Sequence, residues 1–168
     1  MTEKHQILSA TQTLQKIKRI AHEIYENNFR EKEIVFIGTH EMGYTFAEML
    51  KKEFDAIADI KSSLVKISLD KTAPLQSEIV LDVPIENLAK KVLILTDDVL
   101  NTGRTLAYSL KPFLNIEVKK LQTAVVVDRG HTTFPISANY VGYSLSTTLQ
   151  EHIDVILDNK KELGVYLS

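Results

Sequence analysis

The sequence has no cysteine, no long apolar run and no excess of charge of either sign. Without cysteine, disulfides, thiolate catalysis and zinc sites with sulfur ligands are excluded, which fits a reducing compartment. Twenty basic and 22 acidic side chains give a formal net charge of −2, so the chain has no overall electrostatic attraction for nucleic acid or an anionic membrane. Apolar runs such as residues 124–127 have strand length, and no basic-then-apolar signal pattern opens the chain. These features predict a soluble, cytoplasmic protein.

Length and apolar content predict a single domain over residues 1–168. The chain is 44% apolar, which is enough for a sizeable core, but it is too short for two ordinary domains. The five histidines show no metal-ligand spacing. We therefore predict no metal site made by protein side chains alone.

Hydrophobic periodicity predicts alternating helices and strands. Ser9, with Gln12 three residues later, has the pattern of a helix N-cap. Residues 71–87 lack a clear period and are predicted to form a mobile loop. The predicted helices are residues 9–28, 43–54 and 102–113, and the predicted strands are residues 33–38, 62–69, 91–96 and 121–128.

This order of elements favours an α/β fold with a mainly parallel sheet. Ligands of such sheets bind at the carboxyl ends of the strands. His40, Asp97 and Asp128 all fall at predicted strand ends. We therefore expect the functional site to lie at this edge of the sheet.

The segment VLILTDDVLNTGRTL, residues 92–106, places two adjacent carboxylates, Asp97 and Asp98, where a buried strand ends. Adjacent acids repel each other unless hydroxyl groups or a cation use their charge. Free N–H groups at the start of the next helix can hold a phosphate, and Gly103 permits the tight turn. The acids can accept hydrogen bonds from a vicinal diol such as ribose O2 and O3. The segment therefore predicts a sugar-phosphate site, which we favour over two acids that only cap a turn.

The same segment resembles the phosphoribosyl diphosphate (PRPP) motif of type I phosphoribosyltransferases, in which two acids precede Thr-Gly-x-Thr. RIAHEIYENN in the first helix and VVVDRGHTTFPISANYVG, residues 125–142, are similar to the bifunctional pyrimidine operon attenuator and uracil phosphoribosyltransferase subfamily. The resemblance covers nearly the whole chain. It implies a type I phosphoribosyltransferase-like fold, in which helices flank a mainly parallel sheet and a small hood covers the base. It also implies substrate-borne Mg²⁺ and a homodimer.

The resemblance further implies which residues bind each part of the substrate. Asn101 stands where some purine-specific relatives have an acid, and because an amide cannot act as a general base, this argues against a purine. No catalytic side chain is implied, because the departing pyrophosphate is stabilised by Mg²⁺ and N–H donors. The ribose hydroxyls would meet Asp97 and Asp98, the 5′-phosphate would meet Asn101, Thr102, Gly103, Arg104 and Thr105, and the base would meet Val127, Asp128, Arg129 and Gly130.

The sequence departs from the subfamily on the pyrophosphate and base sides. The expected pyrophosphate loop is Thr39, His40, Glu41, Met42 and Gly43. Relatives have Thr-Arg-Gly where this chain has Glu41-Met42-Gly43, so a hydroxyl and a cation are lost. The predicted mobile loop offers only Lys71 as a cation, and the hood has STTLQEH where relatives tend to have Thr-Ser-Lys. A protonated His40 is one candidate replacement for the lost cation, but a histidine without that role is the favoured interpretation.

Two functions remain open. The first is transfer of the phosphoribosyl group of PRPP to uracil or a related small base, with release of pyrophosphate. The second is a non-catalytic regulator that senses a pyrimidine nucleotide and acts through RNA attenuation. The ribose-phosphate motif supports both functions, the altered pyrophosphate loop favours the regulator, and the lack of basic excess disfavours an RNA partner.

Basic side chains of the first helix are the candidate RNA contacts. They are Lys16, Lys18, Arg19 and His22. An ordinary solvated helix face is the favoured interpretation of this basic stripe. His131 is likewise interpreted as a structural or surface histidine.

Overall fold

The computed structural model describes residues 4–69 and 78–168. The strands are β1 His5–Leu8, β2 Glu33–Thr39, β3 Lys61–Ser68, β4 Val80–Leu81, β5 Val92–Leu100, β6 Lys120–Asp128, β7 Tyr140–Ser144, β8 Ile153–Ile156 and β9 Gly164–Leu167. The α-helices are α1 Ala10–Asn28, α2 His40–Asp55 and α3 Arg104–Ser109. Two 3₁₀ helices span Ile85–Leu88 and Lys111–Asn115. No helix of these described ranges is long and apolar enough to cross a membrane.

The main sheet has six strands in the order β4-β3-β2-β5-β6-β7. All neighbouring strands from β3 to β7 pair in parallel, and only the short edge strand β4 is antiparallel. From β2 the chain moves outward to β3, and it later returns to place β5 on the other side of β2. The carboxyl ends of β2 and β5 therefore border the switch point at which ligands bind in open α/β sheets.

Helices and loops cover both faces of this sheet, which confirms the predicted α/β fold class. Along β2, Phe36 packs with the buried residues of α1 and α2, whereas Val35 and Ile37 pack with Leu106 and Phe113 on the opposite face. A strand that is buried on both faces needs continuous apolar sequence. This explains why the predicted central strands lacked alternation.

The second sheet is small and antiparallel, with the order β1-β9-β8. It joins the two ends of the chain, because β1 and β8 both pair with β9. Val155 and Val165 from this sheet are buried in the same core as α1 and α2. Strand β8 of this small sheet contacts β5.

The N-terminus of α1 forms the predicted capping box. The Gln12 backbone N–H donates to Ser9 Oγ at 3.3 Å, and the Ser9 N–H donates to Gln12 Oε1 at 2.9 Å. Two N–H groups that the helix cannot satisfy internally are thereby paired. The predicted helix at residues 9–28 agrees with α1 to within one residue.

Three predicted element boundaries were wrong. The helix predicted at residues 43–54 already begins at His40. The helix predicted at residues 102–113 is α3 followed by a 3₁₀ turn, because Pro112 has no N–H and disfavours helical geometry in the residue before it. Strand β5 continues to Leu100, so both acids of the motif lie inside it.

The predicted mobile loop, residues 71–87, is only partly described. Residues 71–77, including Lys71, lie outside the described ranges. The rest of the segment contains β4 and the first 3₁₀ helix, so it is not an irregular loop throughout.

Replacing the cap residue tests the capping box. Ser9→Ala should lower the free energy of unfolding by about 1 kcal/mol, because it leaves the Gln12 N–H unpaired. For a protein of this size that corresponds to a fall in Tm of about 3 °C by calorimetry. Thr11→Ala is the matched control, since Thr11 is exposed in the same helical turn. An equal loss of stability in the two variants would contradict the capping role.

Candidate functional site

A cleft of about 520 Å³ opens at the carboxyl end of β5. One wall is residues 97–106, which comprise the end of β5, the following loop and the start of α3. The opposite wall is residues 152–155 at the start of β8. Met42 and Arg129 complete the lining. The cleft therefore lies between the main sheet and the small sheet, and it contains the motif found in the sequence.

The loop between β5 and α3 is a tight turn that residues 133–136 restrain. Gly103 has φ +83° and ψ 0°, the left-handed geometry that glycine adopts readily. A side chain there would also meet Ile136, whose Cγ2 lies 2.4 Å from the position of an added Cβ. The Thr102 carbonyl accepts hydrogen bonds from the N–H groups of Thr133 and Phe134, at 2.8 and 3.1 Å. These contacts fix the loop in a shape that only glycine permits.

The two acids of the motif have different surroundings. Asp97 is buried, with 3% of its surface exposed, and its Oδ1 accepts hydrogen bonds from Thr39 Oγ1 at 2.9 Å and from the Asp98 N–H at 3.0 Å. Asp98 is partly exposed in the cleft wall. Asp97 therefore links β5 to the end of β2, whereas Asp98 is the more accessible carboxylate. The sequence placed both acids in the site but gave no signal for this difference.

Gly43 allows helix α2 to approach the end of β5. An added Cβ at Gly43 would lie 2.7 Å from Thr39 Oγ1 and 3.2 Å from Asp97 Cα. The Gly43 carbonyl also accepts a hydrogen bond from Thr96 Oγ1 at 2.8 Å. Any larger residue would push the start of α2 away from the acids. The predicted pyrophosphate loop is thus adjacent to the predicted ribose site.

The three remaining residues of that loop differ in exposure. His40 has φ +54°, which is unfavourable for a residue with a side chain and occurs frequently at functional sites. Glu41 is exposed to solvent in the first turn of α2. Met42 lines the cleft and packs against the core. The thioether, rather than the carboxylate, therefore occupies the wall of the cleft.

The predicted base-binding residues lie at and just beyond the end of β6. Val127 is buried, and the Asp128 carboxylate accepts a hydrogen bond from the Gly130 N–H at 2.8 Å. Gly130 has φ +70° and closes a tight turn. The Arg129 N–H donates to the Leu100 carbonyl at 3.0 Å, which joins this turn to the end of β5. The structure thus brings the predicted base and phosphate segments together.

The Arg129 side chain is buried, with 6% of its surface exposed, and it joins three segments. Its Nε donates to Thr147 Oγ1 at 2.9 Å, and its Nη1 donates to Asn101 Oδ1 at 3.1 Å. Its Nη2 donates to the carbonyls of Thr148 and Glu151, at 3.3 and 2.7 Å. Sequence reasoning missed this network, because no spacing rule connects Arg129 with acceptors some 20 or 30 positions away.

A hydrogen bond within the segment after β7 restrains that segment, in addition to its bonds with Arg129. The Thr148 N–H donates to the Glu151 carboxylate at 2.6 Å, and this bond lowers the pKa of the Glu151 carboxyl. His131 Nε2 hydrogen-bonds to the Thr147 carbonyl. His131 therefore has a structural contact, in agreement with its favoured interpretation.

Two residues of the basic stripe on α1, Arg19 and Lys16, contact β7. Arg19 Nη2 donates to the carbonyls of Val141 and Gly142, at 2.7 and 2.9 Å, and its Nε pairs with Glu23 at 3.1 Å. Lys16 Nζ lies 5.9 Å from the centre of the Tyr143 ring. These contacts attach the helix to the edge of the sheet and favour a structural role over RNA binding.

Two glycine variants separate backbone strain from steric conflict in the turns that follow β5 and β6. Gly103→Ala and Gly130→Ala should each lose about 1–2 kcal/mol, because alanine disfavours a positive φ. Gly103→Ala should lose more, since only there does an added Cβ meet a neighbour closely, whereas the nearest atom at Gly130 is Ser146 Oγ at 3.9 Å. Chemical denaturation checks the order. Equal losses would show that Ile136 does not restrain the loop.

Comparison with known proteins identifies the family. Residues 3–159 match the model of the phosphoribosyl transferase domain. The chain is 36% identical over 167 residues to the bifunctional protein PyrR of Clostridioides difficile (strain 630), which covers 94% of this chain and 93% of that protein. It is 33% identical over 156 residues to the bifunctional protein PyrR of Haemophilus ducreyi (strain 35000HP / ATCC 700724), which covers 89% and 87%.

Solved structures show the same fold at lower sequence identity. A hypoxanthine-guanine phosphoribosyltransferase from Bacillus anthracis has a TM-score of 0.76 at 22% identity, covering 97% of this chain and 96% of that one. The hypoxanthine phosphoribosyltransferase of Trypanosoma cruzi has a TM-score of 0.78 at 16% identity, covering 96% and 94%. With the family match and a cleft built around the Asp-Asp and Thr-Gly-x-Thr motif, we conclude that the chain belongs to the phosphoribosyltransferase family and is similar to the bifunctional PyrR proteins within it.

Proposed function

We propose that this phosphoribosyltransferase uses uracil or a related small pyrimidine as the acceptor for the phosphoribosyl group of PRPP and releases pyrophosphate. The observation that carries the proposal is the cleft at the end of β5, where the acid pair and the Thr-Gly-x-Thr loop share one wall. Two acceptors for a diol beside a turn with N–H and hydroxyl donors suit a ribose 5-phosphate group.

The proposal assigns each part of the substrate to a segment of the cleft. The loop of residues 101–105 takes the 5′-phosphate. Asp97 and Asp98 take the ribose hydroxyls, and the partly exposed Asp98 makes the larger direct contribution, because Asp97 is buried and its Oδ1 already accepts from Thr39. The loop of residues 39–43 takes the pyrophosphate, and residues 127–130 lie beside the base. Each assignment follows the position of the segment around the end of β5.

Within the described ranges, no group of three or more His, Asp or Glu side chains is arranged to hold a metal ion. The partly exposed Asp98 carboxylate is a hard oxygen ligand of the kind that Mg²⁺ prefers, and it suits an ion that arrives on the substrate. We therefore propose that Mg²⁺ binds chiefly through the oxygens of PRPP, with Asp97 and Asp98 nearby. Bound there, the ion would neutralise charge on the pyrophosphate.

The protein's own part in the reaction is binding and orientation. The bond from the anomeric carbon to pyrophosphate breaks as the bond from that carbon to the base nitrogen forms, and the proton of that nitrogen is released to solvent. The positive charge that develops on the ribose lies beside the two carboxylates, which stabilise it electrostatically. A fixed phosphate loop holds the ribose in line for the exchange. No protein nucleophile is needed.

A pyrimidine acceptor is supported by Asn101 and by the relatives. Asn101 cannot remove a proton from a purine, unlike the acid that some purine-specific relatives place before Thr-Gly. The relatives with the stated sequence identities carry the name bifunctional protein PyrR. Both considerations favour a pyrimidine over a purine for this chain.

A regulatory function is the second candidate, and the pyrophosphate loop favours it. Met42 offers no hydrogen-bond donor to the cleft it lines, so leaving-group stabilisation is weaker than in a loop with arginine. A protein with a complete ribose-phosphate site and a weakened pyrophosphate site can bind a pyrimidine nucleotide without efficient turnover. RNA is the disfavoured partner of such a regulator, given the net charge of −2.

We also propose that residues 1–168 form one domain and that the protein is a cytoplasmic homodimer, as the family resemblance implies. Sedimentation velocity tests the assembly. A species of about 19.0 kDa, the mass of one chain, would contradict the dimer.

A steady-state assay tests the proposed reaction. With PRPP and Mg²⁺, uracil should release pyrophosphate faster than cytosine, hypoxanthine or guanine. Asp98→Asn should abolish most of this release, because the charged acceptor for the ribose hydroxyls is lost. Hypoxanthine or guanine as the best acceptor would overturn the pyrimidine proposal. Tight binding of uridine monophosphate (UMP) with no release for any base would favour the regulator.

Calorimetry can measure how much affinity for PRPP the altered pyrophosphate loop loses. PRPP should bind only a few times tighter than ribose 5-phosphate, whereas several charge-assisted bonds to pyrophosphate would give about a hundredfold or more. Met42→Arg should widen the ratio and raise turnover, because position 42 lines the cleft. Glu41→Thr should have less effect, since Glu41 is exposed. Met42→Leu is the matched control. A hundredfold ratio in the unaltered protein would contradict this interpretation of the loop.

A further inference from the structure

The guanidinium of Arg129 connects the two walls of the cleft. Its Nη1 donates to Asn101 Oδ1 at 3.1 Å, at the first residue of the loop 101–105. Its Nη2 donates to the Glu151 carbonyl at 2.7 Å, and Glu151 directly precedes the wall formed by residues 152–155. Because a guanidinium is planar and rigid, it fixes the directions of these two bonds relative to each other. One side chain therefore holds the start of the loop against the segment that leads into the small sheet.

Thr147 anchors this guanidinium without lining the cleft. Arg129 Nε donates to Thr147 Oγ1 at 2.9 Å, and Thr147 is buried, with 8% of its surface exposed. The Thr147 carbonyl accepts a hydrogen bond from His131 Nε2, so the threonine is itself restrained. Residues 97–106 and 152–155 form the cleft walls, and Thr147 belongs to neither. We therefore expect any influence of the Thr147 hydroxyl on a ligand to act through Arg129.

Asn101 is the part of the loop that depends on Arg129. The restraints on the rest of the loop begin at Thr102, whose carbonyl accepts from two N–H groups and whose Oγ1 accepts from the Arg104 N–H at 3.2 Å. Asn101 is exposed, and in the described part of the chain the bond to Arg129 is the one hydrogen bond that its side chain forms. Without that bond the side chain would be free to rotate, and the start of the loop would have to be ordered when a ligand binds. Such ordering lowers affinity.

We propose that Arg129 is a positioning residue for the 5′-phosphate: anchored by Thr147, it fixes Asn101 and thereby the start of the loop 101–105 before a ligand binds. The inference rests on the proposed function, which assigns the phosphate to this loop. It deepens that function by identifying a hydrogen bond outside the cleft walls that determines how tightly the loop holds a phosphorylated ligand. The ligands affected are those with a 5′-phosphate, such as ribose 5-phosphate and UMP.

Removal of the Thr147 hydroxyl tests the anchor and leaves the charge of Arg129 in place. Thr147→Val should weaken ribose 5-phosphate binding about three- to tenfold in calorimetry, because the start of the loop must then be ordered on binding. Thr147→Ser keeps the hydroxyl and should bind almost as tightly as the unaltered protein. Thr148→Val is the matched control, since Thr148 is exposed and contacts Arg129 through its backbone carbonyl. This control should leave the affinity unchanged.

Uridine, which has no phosphate, separates positioning of the loop from a general loosening of the cleft. NMR titration should give nearly the same uridine affinity for Thr147→Val and for the unaltered protein. A cleft that had merely lost its shape would bind uridine more weakly as well. The Tm of each variant shows whether it is folded at the temperature of the titration, since Thr147→Val leaves a buried Nε–H group unpaired.

A double-mutant cycle tests whether Thr147 acts through Asn101. Asn101→Ala removes the other end of the connection at an exposed position, so this variant should fold and should weaken ribose 5-phosphate binding by a similar factor. In the Asn101→Ala background, Thr147→Val should cause little further loss, because the side chain that Arg129 positions is already absent. If Thr147→Val does not fold, Asn101→Ala with ribose 5-phosphate and uridine still tests the inference.

Four results would overturn the inference. Folded Thr147→Val could bind ribose 5-phosphate as tightly as the unaltered protein, Asn101→Ala could do the same, uridine could lose as much affinity as ribose 5-phosphate, or the two single losses could add in the double variant. In each case ribose 5-phosphate binding and pyrophosphate release by the unaltered protein would still support the proposed function. Failure of the proposed function looks different, because the unaltered protein would then bind no ribose 5-phosphate.

Discussion

The hydrogen bond between Thr39 and Asp97 is the contact on which the arrangement of the cleft depends. It joins the carboxyl ends of β2 and β5, and it is buried, so its loss would remove one of the hydrogen bonds that stabilise a carboxylate in the interior. The strand order β3-β2-β5 brings these two ends together. Gly43 then allows α2 to begin against them. The first acid of the motif is therefore a structural link between the two ligand loops as well as a candidate ligand group.

The two loops that border the cleft offer different groups to it. The loop after β5 has a glycine turn, hydroxyl groups and a partly exposed acid. The loop after β2 has a thioether in the wall of the cleft. Under the proposed assignment of these loops, binding energy for ribose 5-phosphate would remain while stabilisation of the leaving group would be reduced. Since catalysis depends on interactions that strengthen in the transition state, we expect this difference to affect turnover more than nucleotide binding.

The sequence predicted the fold class and several element positions well, because those depend on local patterns. Alternating strands and helices, the Ser9 capping box and the Thr-Gly-x-Thr turn are all recognisable within a few residues. It predicted α3 poorly, since the apolar spacing continued past the point where Pro112 ends α-helical geometry. It also could not distinguish Asp97 from Asp98. Their difference is set by Thr39, which comes from another strand.

Arg129 is a buried cation in the lining of the cleft. Its buried guanidinium is hydrogen-bonded to neutral acceptors on two segments, and no carboxylate of the described part of the chain forms a salt bridge with it. Burying a charge is costly unless it is fully hydrogen-bonded, and here four donors are engaged. Under the proposed assignment of the cleft, the positive charge of Arg129 offsets part of the repulsion between Asp97, Asp98 and an anionic substrate. Because charge interacts more strongly in a poorly solvated wall than in water, a buried cation in this position would then favour phosphate binding.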